Sequence, residues 1–213
     1  FSFQARLVGC NFHWKQAVFR RVQAVGLTAA YTTDDATRTL LQKVMALPFL
    51  PLNEVVPAFQ LLRQQSSTPP LDEVNVHTDI TCRITIYAYI FQLFAYVETT
   101  WINGRTWPVG AWNVYGRSIR TNNCAEGYNH RLTVRAGGKS MGPYQLAALL
   151  FREAQLVDMT VRLVNRHLIT RRQRQMTRTL QARVFRAWEC HRTGDMTTPE
   201  LLSVCARTYG QAP

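Results

Sequence analysis

Two short clusters carry residue types that do chemistry. The first is Cys10-x-x-His13. A thiolate and an imidazole at this spacing make half of a structural zinc site, which takes four such ligands. Cys124, His130, Cys190 or His191 would have to complete it in space, and no spacing argues for any of them. A buried cysteine beside a hydrogen-bonded histidine is the reading, and zinc is not expected. The second cluster is RTNNCAEGYNHRL, Arg120 to Leu132. Asn122 and Asn123 suit a helix N-terminus, so Glu126 falls in the first turns and Asn129 one turn on. A carboxylate there can ligate Mg2+ or Mn2+, because hard cations take oxygen donors. It can equally serve as a favourable charge at the positive end of a helix.

These clusters must be held by the elements that the hydrophobic pattern allows. Residues 4–10, QARLVGC, read as a short strand running into the Cys-x-x-His pair. From Phe12 to Gly26 the pattern turns helical, with Phe12, Ala17, Phe19, Val22 and Val25 near one face and Gly26 as the stop. Asp34 and Asp35 sit where a helix N-terminus favours them, and Leu40, Leu41, Val44 and Leu47 follow at helical spacing. Pro48 and Pro51 end that helix. Asn53 caps the next, whose buried stripe is Val55, Val56, Phe59 and Leu62. QQSSTPP, residues 64–70, is a loop by composition. Residues 107–125, which include Trp112, read as irregular structure entering a helix near Asn122.

The clearest helix runs from about Pro143 to His167, with Leu146, Leu150, Val157, Val161, Val164 and Leu168 at spacings of three, four and seven. A basic helix follows, from about Thr170 to Arg192. Its apolar residues Met176, Leu180, Val184 and Trp188 are four apart, and Arg171, Arg172, Arg174, Arg178, Arg183, Arg186 and Arg192 lie around it. Thr197, Thr198, Pro199 and Glu200 mark the start of a last helix.

Lys+Arg number 25 against 13 Asp+Glu, a net charge of +12. Such an excess points to a polyanion, nucleic acid before a membrane surface. All but three of the 25 are arginine, the better bidentate phosphate ligand. Arg171, Arg172, Arg174 and Arg178 are the expected DNA contacts, made to phosphates and so without sequence information. Five cysteines, an odd number at irregular spacing, argue against a secreted disulfide framework and for a reducing compartment. No signal peptide is visible at the start of the chain.

Residues 74–92, VNVHTDITCRITIYAYIFQ, are more apolar and more β-branched than their surroundings. A membrane span fails on length: the uncharged run from Ile84 to Val97 has 14 residues, against the roughly 20 needed. A buried strand or helix is one reading. Another comes from the genetic code. Val-Asn can be written GTAAAT and Phe-Gln TTTCAG, the usual ends of a spliceosomal intron. The 19 residues correspond to 57 nucleotides and keep frame, so the segment is read as a retained intron.

Taken in order, GCNFHWKQAVFRRVQAVGL, ALPFLPLNEVVPAF, YVETTWI and WNVYGRSIRTNNCAEGYNHRL resemble the MULE (Mutator-like element) transposase domain. The resemblance runs from about Leu7 to about Glu200, excluding 74–92. It implies a mainly α chain that is the C-terminal part of an RNase H-like α/β core, interrupted by an all-helical insertion. Residues 1–13 would hold the last core strand and the Cys-x-x-His motif. Residues 14–120 would be the insertion, residues 121–142 the helix bearing the third carboxylate, and residues 143–213 the basic helical region.

By the same resemblance Glu126 matches the third carboxylate of a D-D-E site and the ligand of Mg2+ or Mn2+. Cys10, His13, Trp112, Asn122, Asn123 and Asn129 are the other motif positions. The two aspartates of the family lie before its Cys-x-x-His pair. This chain starts at Phe1 and has no Asp until Asp34, so both are expected to be missing. In two-metal phosphoryl transfer the ions clamp the attacking and leaving oxygens, and one glutamate cannot hold that pair. The implied reading is a fragment of a nuclear DNA transposase, homo-oligomeric as an option in the intact parent and inactive in strand transfer as this chain. A domesticated, non-enzymatic nucleic-acid-binding or regulatory protein is the alternative.

Overall fold

A computed structural model describes residues 9–67, 77–121, 123–137, 141–166 and 175–210, without side chains at 67, 77–82, 124, 175 and 176. The chain is mainly helical, and no strand occurs among the described residues. It divides into two compact units, residues 1–121 with 180–213, and residues 122–179.

The first unit holds α1 (Asn11–Ala24), α2 (Thr28–Thr33), α3 (Asp35–Ala46), α4 (Leu52–Ser67), α5 (His77–Val97) and the single turn α6 (Val109–Trp112). The second holds α7 (Asn123–Arg135), α8 (Pro143–Asn165) and the first residues of α9 (Gln175–Thr193). The rest of α9 and α10 (Thr198–Tyr209) belong to the first unit.

Gly9 and Cys10, the end of the expected strand, pair with no strand. The Gly9 N–H donates to the Ala111 carbonyl at 2.5 Å, and the Cys10 carbonyl accepts from Trp14 N–H to open α1. Residues 4–8 of that strand lie outside the described residues. The α1 face is also corrected. Trp14, Val18, Val22 and Val25 are buried at spacings of four, four and three, while Phe12 is exposed. Trp14 wins the interior because its ring stacks on Trp112 at 4.4 Å and meets Trp101 edge-on at 5.0 Å. Its indole N–H also finds the Met45 carbonyl at 3.1 Å, satisfying the one polar atom that burial would orphan. Gly26 ends α1 as expected: its φ of +90° is one that a side chain rarely tolerates.

Asp34 caps α3, its carboxylate accepting from the Ala36 and Thr37 N–H groups. Burial pushes this carboxyl up, but the hydrogen bonds from Thr37 and Ala36 and the charge of Arg83 outweigh burial and hold it below the usual range. Pro48 closes α3 into a 3-10 turn, Leu47–Phe49. α4 opens at Leu52, so Asn53 lies inside the helix rather than capping it. Its buried line is Val55, Ala58, Phe59 and Leu62. Gln64 to Ser67, expected in a loop, continue α4; residues 68–70 are outside the described residues.

Residues 77–92 of the anomalous segment are helical, the first part of α5. Among its described side chains, residues 83–97, the buried ones are Ile90, Leu93, Phe94 and Val97 at the C-terminal end. A π turn, Glu98–Ile102, follows, and Arg63 of α4 holds Glu98 through both carboxylate oxygens at 2.7 Å. α10 packs along α3, closely enough that a Cβ at Gly210 would collide with the Gln42 carbonyl oxygen. Glu200 closes the N-terminus of α10 on Thr197, accepting from its N–H at 2.8 Å and its hydroxyl at 2.7 Å.

In the second unit α7 and α8 are joined by one buried carboxylate. Glu153 is 5% exposed and pairs with Arg131 at 3.0 Å and with Arg135. The apolar stripe expected on α8 from its spacing is not buried. Leu146, Leu150, Val157, Val161 and Val164 are all exposed, and Leu168 lies outside the described residues. Glu153 lies about 20° from Leu146 and Val164 on the helical wheel, so the α7 arginines cover α8 beside this stripe. No helix among the described residues is long and apolar enough to cross a membrane.

Candidate nucleic-acid interface

α9 buries Val184, Ala187 and Trp188; Val184 and Trp188 belong to the stripe expected from its four-residue spacing, Leu180 is half-buried, and the Met176 side chain lies outside the described residues. The Trp188 indole N–H donates to the Phe49 carbonyl at 2.8 Å and fixes the roll of the helix. At about 100° per residue, Arg186 then falls about 160° from both Val184 and Trp188, while Arg183 flanks the stripe, about 40° from Ala187. Both are exposed, and neither is held in an ion pair among the described residues. Arg192 is committed instead to Glu189, at 2.6 Å. Arg178 is exposed in the second unit; Arg171, Arg172 and Arg174 lie outside the described residues. Sequence reasoning did not single out Arg183 and Arg186 among the arginines of this helix. Their signal is exposure off the Val184–Trp188 line, with Arg186 the one that lies opposite it on the helical wheel.

The floor beneath this helix is held by a different arginine. Arg120 is half-buried, and its guanidinium lies 5.1 to 5.9 Å from the ring centroids of Tyr209, Phe185, Phe49 and Trp188. It donates to the Tyr209 hydroxyl at 3.0 Å and to the Arg117 carbonyl at 3.3 Å. A cation so enclosed by aromatic faces is a packing element and is not free for phosphate. Its own carbonyl accepts the Asn11 N–H at 2.9 Å. That bond ties the residue between Cys10 and His13 to the first residue of the RTNNCAE segment.

Of the other motif residues, Cys10 is half-buried and His13 exposed, with the His13 ring edge-on to Phe12 at 5.6 Å. Trp112 is buried in the Trp14 stack and donates to the Trp101 carbonyl at 3.2 Å. Glu126 sits in the first turn of α7, and Asn123, Glu126 and Asn129 are exposed; Asn122 is outside the described residues. Cys10, His13 and Trp112 belong to the first unit, Glu126 and Asn129 to the second.

No group of three or more His, Cys, Asp or Glu side chains that could hold a metal ion occurs among the described residues. The carboxylates that could join Glu126 are committed elsewhere. Glu153 is neutralised by two arginines and Asp158 by Arg162 at 2.7 Å. Asp34 caps a helix, Asp35 pairs with Arg38, and Asp195 accepts from the Thr193 hydroxyl. The second unit's described donors therefore do not fit a two-metal centre.

The densest polar cluster elsewhere is Glu54, His191 and Thr198. The Thr198 hydroxyl donates to the Glu54 carboxylate at 2.6 Å, and both lie within 3.3 Å of His191 Nε2. Both partners meet the same ring nitrogen, so the histidine is not set up to pass a proton from one to the other. Cys205 is buried, and burial pushes its thiol up to about 12, so it is no nucleophile. Compared with known protein families, curated proteins and solved structures, the chain gives no match.

Proposed function

We propose that this chain is the C-terminal part of a MULE-like DNA transposase, acting in the nucleus, that keeps affinity for DNA phosphates without performing strand transfer itself. The observation that carries the reading is the Asn11 to Arg120 hydrogen bond. It joins the two sequence motifs on which the resemblance rests, although 109 residues separate them. Arg183 and Arg186, exposed and outside any ion pair among the described residues, supply the DNA contact. Strand transfer would need two further carboxylates beside Glu126 to hold a pair of Mg2+ or Mn2+ ions. An intact D-D-E site, when loaded, uses its metal ions to activate the attacking oxygen and stabilise the leaving one. In this chain Glu126 has the first-turn position for one such contact only.

Binding is measured by fluorescence anisotropy on two unrelated duplexes of equal length, from about 50 to 200 mM salt. The expected result is equal affinity for both and a linear fall of log affinity with log salt, at about −0.9 per neutralised phosphate. Addition of Mn2+ to nicked and blunt substrates is expected to yield no strand-transfer product. Strong preference for one duplex with a flat salt response, or metal-dependent joining, would overturn the reading.

A further inference from the structure

We propose that the groove between α4 and α10 binds an ω-amino carboxylate, a chain with an ammonium at one end and a carboxylate at the other. The groove lies wholly within the first unit and holds about 210 Å3. Ordinary ligand pockets hold roughly 300–1,000 Å3, so the ligand is small, on the order of ten non-hydrogen atoms. Helical spacing builds its walls. Glu54, Pro57, Ala58, Leu61 and Leu62 lie within about 140° of arc on α4, and Leu202 of α10 lines the other side. The middle of the groove is therefore apolar and suits methylene groups.

The two ends carry opposite charges. At one stands Glu54, 27% exposed, whose Oε2 accepts from the Thr198 hydroxyl at 2.6 Å and lies 3.2 Å from His191 Nε2. Its Oε1 has no partner among the described residues. At the other stands Lys43 of α3, half-buried and outside any ion pair among the described residues. Lys43 also lines the adjoining hollow together with Leu62 and Gln65, and Glu54 does not. From Glu54 to Leu62 is about 12 Å of helix. A ligand with only an ammonium would meet Lys43 as a like charge, and one with only a carboxylate would meet Glu54. A ligand carrying both turns each end into a charge-assisted hydrogen bond. A free ω-amino acid presents this chemistry, and so does the C-terminal lysine of a peptide, with its side-chain ammonium and terminal carboxylate.

The inference does not rest on DNA binding. Isothermal titration of the full chain with 6-aminohexanoate is expected to show one site with a dissociation constant below about 1 mM. Hexylamine and hexanoate each keep one charge and should bind more weakly by about tenfold or more. Glu54→Gln and Lys43→Met should each weaken 6-aminohexanoate by a similar factor with unchanged helix content. Should Glu54→Gln unfold through loss of its contacts with Thr198 and His191, Lys43→Met gives the same readout. A short peptide ending in lysine separates the two sources. Binding as tight as that of 6-aminohexanoate, lost when the C-terminus is amidated, assigns the ligand to protein C-termini; weaker binding assigns it to the free zwitterion. No saturable heat up to about 10 mM 6-aminohexanoate would overturn the proposal. So would equal affinity for hexylamine, or binding that neither substitution weakens.

Discussion

In the first unit the large side chains are hidden: Trp14, Trp112, Phe49, Phe59 and Phe94 are all at most 1% exposed, and four of the tryptophan and asparagine side chains there donate to backbone carbonyls. In the second unit the longest helix carries Tyr144, Phe151, Val157 and Met159 more than half exposed, and its main buried contact is a charge. Both units are helical and both are rich in apolar residues. They differ in what closes them. The first is sealed by contacts between residues far apart in the chain, such as Trp188 to Phe49 and Asn113 to Leu50. The second is two helices latched by one carboxylate. Long-range packing closes the first, and the second leaves apolar side chains exposed.

The comparison breaks most directly at the tryptophan stack. Trp14→Ala should cost the first unit about 3–5 kcal/mol, since it removes a buried aromatic and its hydrogen bond together. Val157→Ala in the second should fall within about 0.5 kcal/mol in a monomer. Urea denaturation at low protein concentration measures both, and equal losses would erase the distinction. A smaller effect is expected at the latch. Arg131→Gln/Arg135→Gln leaves the buried Glu153 without a counter-charge, at a cost of about 3 kcal/mol. Amide exchange should then accelerate across α7 and α8 and not in α1 to α4. An acceleration spread through both units would show that the latch holds more than these two helices.

Smallest is the cap of α3. Asp34→Ala should cost about 1 kcal/mol. In the native chain the Asp34 carboxyl titrates below its unfolded value. Its contribution is therefore present above the usual carboxylate range and is lost as pH falls through the depressed value. Melting curves in that acid range should converge for native and variant chains; a gap that persists there would assign the cost to packing.

Much of the first unit is legible from residue order. Asp34, Pro48, Thr197 and Glu200 act through neighbours a few residues away, so local spacing carries the information. The Val184 to Trp188 stripe is readable for the same reason. The Trp14–Trp112 stack is not, because it joins residues 98 apart and no periodicity records such a pairing. It also displaces Phe12 from the interior. On α8 the period is right, yet the side chains that share it are exposed. Periodicity says which side chains share a face and not whether anything covers that face. The arginines differ for a related reason. Density along the chain favours Arg171, Arg172, Arg174 and Arg178, whereas exposure beside the docked part of α9 singles out Arg183 and Arg186.

The most direct measurement is the salt dependence of duplex binding by Arg183→Gln/Arg186→Gln, both surface positions whose replacement leaves Val184 and Trp188 packed. If these arginines hold phosphates, affinity drops on every duplex tested. The log–log salt slope then becomes shallower by about 1.8, or about 0.9 for each phosphate no longer neutralised. Affinity and slope both equal to those of the native chain would contradict the assignment of α9 as the DNA-binding helix.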